Sequence, residues 1–414
     1  MKVLWLSNRA FVAESSKETA SWLQPMAEAL AQTGRVNIVN ISVGKVREPQ
    51  YYQYGSLGQW IIPQFKVSMW GQIASERLCK CVSDILLNEN PDLVHIWGTE
   101  SFWASIYRLG FIPYKTILDI QGLLYVCAYY YYGGLSFRER IRTIHAKELL
   151  MPWRTLAYKK RVFEIRGKSE VDNLKFISNI SYQSDWTKNH VQYINPSARL
   201  FATKLMLRDA FFQSSSWHYH PENDSPILFS FCSDADAYKG MHVMIKISKV
   251  LKNKYPNIRI RLAGNLSVGN LLKDGYSIFL KNQIKKSGLE DNVTFLGPLD
   301  ATQLVNELQN ANACVITSFV ETYCLAFAES MMVGCPTVCS FAGAMPELAV
   351  HGKEAFFYSP TDYVQAASYV DMIIEDPELA AKLSNNARKR RFIENDKQKV
   401  IERQLEIYET IINS

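Results

Sequence analysis

Two glutamates, Glu321 and Glu329, stand with seven residues between them in a 414-residue chain, inside its most informative segment, Ala313 to Ser340. That segment reads as strand, turn, helix, a glycine stop at Gly334, and a second strand. In an open α/β unit, ligands bind beyond the carboxyl ends of the strands, where the next helix begins with unbonded N–H groups and a positive dipole end. The spacing therefore predicts an anion site around Tyr323, Cys324 and Leu325, with Glu321 just before the helix and Glu329 about two turns inside it. Ionised carboxylates are strong acceptors for hydroxyl groups, so a sugar and a ribose are ligands that such a pair suits. Two solvated surface acids are the plainer alternative.

A second group lies upstream, in Asp234-Ala-Asp-Ala-Tyr-Lys-Gly240, again between a strand and a helix. Lys239 and Gly240 there could meet a phosphate over the helix start. Asp234 and Asp236 could hold a cation, but Lys239 already supplies positive charge, and a capped turn is the simpler reading; no metal is expected. Asn265, closing Ala263-Gly-Asn265, and Leu296, in Phe295-Leu296, end two further strands and are candidates for nucleoside contacts or for plain turns.

These residues need a framework to hold them. A strand at Val3 to Leu6, a helix from about Thr19 to Gln32 closed by Gly34, strands at Val36 to Val43, Leu93 to Trp97 and Thr116 to Ile120, and helical spacing over Gly71 to Leu87 make an alternating α/β pattern. The alternation restarts after Asp209, with strands at Ile227 to Phe231, Ile258 to Ala263, Val293 to Leu296, Cys314 to Thr317 and Thr337 to Ser340. Between them, Gln213 to Pro226 is polar, Pro-bearing and without period, as an interdomain connection would be. The expected domains are residues 1–205, residues 206–392, and a C-terminal helix over 393–414 returning to the first domain.

With Glu321 and Glu329, Phe295-Leu-Gly297, Gly334-Cys-Pro-Thr-Val338, Gly343, Pro346-Glu347 and Val350-His-Gly352 in place, the chain resembles the family 4 glycosyltransferases. The resemblance is close from about Ile227 to Tyr358 and looser before it. It implies an α/β fold of GT-B type: two facing Rossmann-like domains with parallel sheets, the second gripping a nucleotide-diphosphate sugar. It also implies a retaining, metal-independent hexosyl transfer that uses no cofactor beyond that donor. By resemblance Glu321 lies near the donor sugar, Glu329 holds the ribose hydroxyls, main-chain amides near Cys324 and Leu325 meet the diphosphate, and Lys239 is the phosphate-binding lysine. The family's arginine five or six residues before that lysine is replaced here by Ser233 or Asp234.

The first half would hold the acceptor, a saccharide or lipid-linked saccharide. His95, in Asp92-Leu-Val-His-Ile-Trp-Gly-Thr-Glu100, is similar to the family's His-bearing strand, yet its apolar neighbours equally suit a core histidine. Gln121 stands where many relatives carry a histidine near the reacting sugar; an amide cannot titrate, but it can orient a hydroxyl. Both strand ends also look like those of bacterial transferases that assemble capsular or surface polysaccharides. A nucleotide-sugar epimerase of the same fold, or a catalytically silent saccharide-binding scaffold, are the rival readings.

Composition agrees with two sizeable cores: 48% of residues are hydrophobic, and no run is long and apolar enough to span a bilayer, so a cytoplasmic protein is expected. The eight cysteines show no C-x-x-C pairing and read as buried thiols. The net charge of +6 is concentrated between Ser136 and Glu170, where ten basic residues face four acidic ones. That stretch suits either an anionic membrane surface at the inner face, as a peripheral contact, or a solvated helical face. No nucleic-acid module is present.

Overall fold

The computed structural model describes residues 1–12, 23–65, 72–221, 224–231, 236–264 and 274–414. The chain forms two compact units. The first takes Met1–Val126, Val162–Met206 and Asn395–Ser414; the second takes Cys127–Arg161 and Leu207–Glu394. The chain crosses between them near residues 206 and 394, and residues 127–161 fall in the second unit. Cys127–Arg161 belongs to the second unit because its polar groups find their partners there. The Tyr131 hydroxyl donates to Asp236 Oδ1 at 2.8 Å, His242 Nε2 meets the Gly133 carbonyl at 2.8 Å, and Glu139 pairs with Lys246 at 2.9 Å.

In the first unit the strands are β1 (Lys2–Leu6), β2 (Asn37–Gly44), β3 (Gln50–Tyr54), β4 (Leu57–Pro63), β5 (Leu93–Trp97), β6 (Thr116–Asp119), β7 (Asn179–Tyr182) and β8 (Arg199–Ala202). They form one sheet in the order β3-β4-β2-β1-β5-β6-β7-β8, parallel except for β3. Strands β1 and β5 are apolar over nearly their whole length because both faces of a parallel sheet are covered. Helix Leu23–Gln32 and helix Lys397–Ile412 lie in the core of this unit, where Val400, Leu405, Tyr408 and Ile411 pack with Trp5, Leu93 and Trp97.

The second unit contains β9 (Ile227–Phe231), β10 (Arg259–Ala263), β11 (Val293–Gly297), β12 (Ala313–Ile316), β13 (Thr337–Ser340) and β14 (Phe356–Tyr358). Their order, β11-β10-β9-β12-β13-β14, is wholly parallel and reverses direction between β9 and β12, the doubly wound arrangement whose ligand crevice opens at that reversal. The helix expected over 71–87 runs from Glu76 to Glu89, with the Ser75 hydroxyl accepting from the Leu78 amide and Asn90 ending it in the left-handed region. The first expected helix is seen as Leu23–Gln32, its residues 19–22 lying outside the described ones. Among the described residues no helix is long and apolar enough to cross a membrane, and seven cysteines are free thiols.

Candidate functional site

The site of the second unit is built at the β9/β12 reversal. Beyond β9 a 3-10 turn, Ala237–Lys239, runs into Gly240 and the helix Met241–Lys252. Gly240 has φ +72, and a Cβ there would lie 1.9 Å from the Thr317 carbonyl oxygen, so only glycine lets the turn press against the end of β12. The Thr317 hydroxyl donates to the Lys239 carbonyl at 3.0 Å, and the Phe319 amide to the Tyr238 carbonyl at 2.7 Å. This lacing aims Lys239 across the crevice, where its ammonium meets Glu321 Oε1 at 2.7 Å. Burial alone would pull the lysine's pKa down; the Glu321 carboxylate outweighs it and holds the ammonium above its ordinary value.

Glu321 is positioned in turn by Gly343, whose φ is +55 and whose Cβ would fall 2.2 Å from the Glu321 carbonyl oxygen; the Ala344 amide donates to that oxygen at 2.9 Å. Two residues on, buried Tyr323 leads into Cys324, which adopts φ 70 and ψ 77, a left-handed backbone uncommon outside glycine. It starts helix Leu325–Val333, in which Phe327 and Ala328 both bond back to the Cys324 carbonyl, leaving the Leu325 and Ala326 amides ahead of those bonds. The helix ends at Gly334, φ 89.

Glu329 sits shallower than expected, four residues past Leu325 rather than two turns inside. It is 6% exposed, and its Oε1 accepts from Arg208 Nε at 3.1 Å and Nη2 at 2.7 Å. Burial raises the Glu329 pKa, and the Arg208 guanidinium opposes that rise. Arg208 was not legible as a site residue: it lies 121 positions from its partner, after an apolar stretch that carries no spacing signal. Leu296 is the extra residue of a bulge on edge strand β11, where Leu262 pairs with Phe295 and Ala263 with Gly297. Asn265, Ser233 and Asp234 lie outside the described residues. Asp236 accepts from Tyr131.

In the first unit, polar groups collect where β1, β5 and β6 end. Gln121 follows β6 and is partly exposed. His95 does not reach that edge. It is fully buried, stacked on Trp97 with ring centroids 3.8 Å apart, and its Nδ1 lies 2.7 Å from the Tyr408 hydroxyl, which accepts from the Trp5 indole at 3.2 Å. It packs as a core histidine of the first unit, and burial pushes its pKa well below the ordinary value. Nearby, Asp119 accepts from Ser181 and Gln183, and Glu170 from the Thr99 hydroxyl and the Tyr125 amide; burial pushes their pKa values up to about 7 and about 8. A cavity of about 740 Å³ opens beyond β1, β2, β4 and β5, lined by Asn8, Lys45, Phe65, Glu100, Phe102 and Arg166. Arg166 Nε is buried there without a hydrogen-bond partner among the described residues.

Residues 218–390 match the family described as "Glycosyl transferases group 1". An uncharacterised glycosyltransferase of Bacillus subtilis, YqgM, is 29% identical over 179 residues, 42% of this chain and 47% of that protein. The chain thus spans under half the length of the curated relatives it matches. Among solved structures, a sucrose-phosphate synthase from Thermosynechococcus elongatus superposes with TM-score 0.73 at 15% identity, covering 100% of this chain and 99% of that one. Anabaena HepE, in complex with UDP-glucose, gives 0.66 at 18% identity and covers both chains completely. Sheet order and superposition together make this an α/β protein of the GT-B type, whose residues 218–390 match the group 1 glycosyl transferases.

Proposed function

We propose that the chain transfers a hexosyl unit from a nucleotide-diphosphate sugar to a saccharide or lipid-linked saccharide, with retention, in the assembly of bacterial surface polysaccharide at the inner face of the membrane. The observation that carries this reading is the Lys239–Glu321 pair, 2.7 Å apart at the β9/β12 reversal beside the start of helix Leu325–Val333. Lys239 and the amides around Cys324 and Leu325 face the diphosphate and supply its positive charge without a metal ion. Glu329, held by two hydrogen bonds from Arg208, takes the ribose hydroxyls, and Leu296 borders the base. Glu321 lies against the sugar. As the acceptor oxygen bonds to the sugar's anomeric carbon, the bond to the leaving phosphate breaks on the same face, and that phosphate takes the acceptor's proton. Gln121 orients a hydroxyl, and the cavity between Lys45 and Arg166 receives the acceptor.

The test is a thermal-shift panel of uridine-, guanosine- and adenosine-diphosphate sugars, followed by transfer assays on Glu321→Gln. Ligand bound only to the folded state raises the melting point. One nucleotide class should stabilise wild type and Glu321→Gln alike, while transfer falls by about 100-fold or more in the variant. No shift with any nucleotide overturns the proposal, and turnover of donor without acceptor would mark an epimerase.

A further inference from the structure

Cys127–Arg161 is unusually apolar on its outer side. Phe137, Ile141, Ile144, Leu149, Leu150 and Trp153 are all exposed, Leu149 at 73% and Leu150 at 80%. Single exposed apolar residues are ordinary, but a run of them on one segment marks an interaction surface. Arg138, Arg142 and Lys147 are interleaved with them and are exposed as well. The segment's two acids are turned inward. Glu139 caps its helix at Ser136 and pairs with Lys246 at 2.9 Å; Glu148 is 1% exposed and accepts from the His145 amide at 3.2 Å. The large side chains that this segment exposes are therefore apolar or cationic, with no exposed acid among them.

The inner side is clamped. His242 holds the Gly133 carbonyl, Tyr131 holds Asp236, and Gly275 lies so close that a Cβ would fall 1.7 Å from the Thr143 carbonyl oxygen. The short helices Phe137–Ile141 and Ala146–Leu150 are thus presented from a fixed base.

We propose that this face docks the chain on an anionic lipid bilayer. Phe137, Leu149, Leu150 and Trp153 enter the headgroup–acyl boundary, and Arg138, Arg142 and Lys147 meet the anionic headgroups. The charge selects this occupant over a second copy of the chain, because a two-fold contact would set the cationic face against itself. The docking gives the lipid-linked acceptor of the proposed function its setting, and in that respect it rests on that reading. A Cβ on Gly133 would lie 2.1 Å from the Ala237 carbonyl oxygen, so the docked segment abuts the turn that carries Lys239. The donor site is then held where such an acceptor resides. Lys159, in the basic cluster, is less important, since its ammonium pairs with Asp274 at 2.6 Å.

The experiment is co-sedimentation of the full chain with vesicles of phosphatidylcholine alone or with about one third phosphatidylglycerol. Wild type should bind the anionic vesicles and bind the neutral ones weakly. Leu149→Ser/Leu150→Ser should lower the partition coefficient at least about tenfold, and Arg138→Gln/Arg142→Gln should abolish the preference for phosphatidylglycerol, both with unchanged melting temperature. Equal binding by wild type and the leucine variant, or no binding by wild type, overturns the proposal. So does a wild-type dimer in lipid-free ultracentrifugation that the leucine variant splits. Vesicle binding is read without nucleotide, so failure of the transferase reading shows separately, as absent nucleotide-induced stabilisation in every protein.

Discussion

Glu329→Gln keeps the side chain's volume and removes its charge, which separates two consequences. The first is stability. The carboxylate is 6% exposed and takes two hydrogen bonds from Arg208, whose side chain is 18% exposed. Breaking a fully buried pair costs about 3–5 kcal/mol, but an arginine with that much solvent access recovers part of its hydration, so about 1–3 kcal/mol is the expected loss. For a unit of this size that is roughly 2–4 °C of melting temperature per kcal/mol. The second is affinity. A hydrogen bond to a charged acceptor contributes about 1.5–3 kcal/mol, so the amide should weaken the stabilising nucleotide's Kd by roughly 10- to 150-fold. Scanning calorimetry measures the first, and titration calorimetry well below the new melting point measures the second. Arg208→Gln should share the stability loss and should make nucleotide binding pH-dependent, since the raised Glu329 pKa then goes unopposed. A Glu329→Gln protein with unchanged Kd refutes the assignment of Glu329 to the nucleotide; one with unchanged melting point refutes the energetics of the pair.

Two further outcomes concern the first unit. Glu170 and Asp119 have folded pKa values raised to about 8 and about 7, so between their ordinary carboxyl range and pH 8 the folded unit holds protons that the unfolded chain has released. Stability should therefore fall as pH rises through that window, by about 1.4 kcal/mol per pH unit for each retained proton; Glu170→Gln should flatten the fall in melting temperature between pH 6 and 8.5, and parallel curves would refute the cause. Tyr408→Phe strips His95 Nδ1 and the Trp5 indole of their shared partner and should lower the first unit's melting point with an unfolding penalty of about 1–3 kcal/mol, leaving nucleotide binding in the second unit unchanged; an unaltered melting point would show that the hydroxyl contributes nothing.

The strands that sequence reading located well are those buried on both faces, since a run such as Leu93 to Trp97 has no competing pattern. The hairpin of β3 and β4 escaped because Gln50-Tyr-Tyr-Gln-Tyr54 is a mostly exposed edge strand with no apolar face to betray it. Strand β7 escaped because its buried polar residues serve hydrogen bonds rather than packing: Asn179 donates to the Thr116 carbonyl and Ser181 to Asp119. Lys239 and Glu321 were readable because each follows a strand and precedes a helix. Arg208 and the transfer of Cys127–Arg161 to the second unit were not, because they depend on contacts such as Gly133 with His242 whose partners share no local pattern.

The chain passes between its two units four times, at 126/127, 161/162, 206/207 and 394/395. During synthesis the first unit's sheet strands all emerge before residue 206, yet Leu405 and Tyr408, which close its core, are made only after the whole second unit. At roughly 5–20 residues per second the ribosome needs on the order of 10–40 s to cover that interval. For that time the nascent first unit exposes the apolar surface that the last helix will cover, and it is a natural client for a chaperone. The same threading means that no single cut separates the chain into its two units, and a fragment carrying the whole second unit must include 127–161 as well as 207–394.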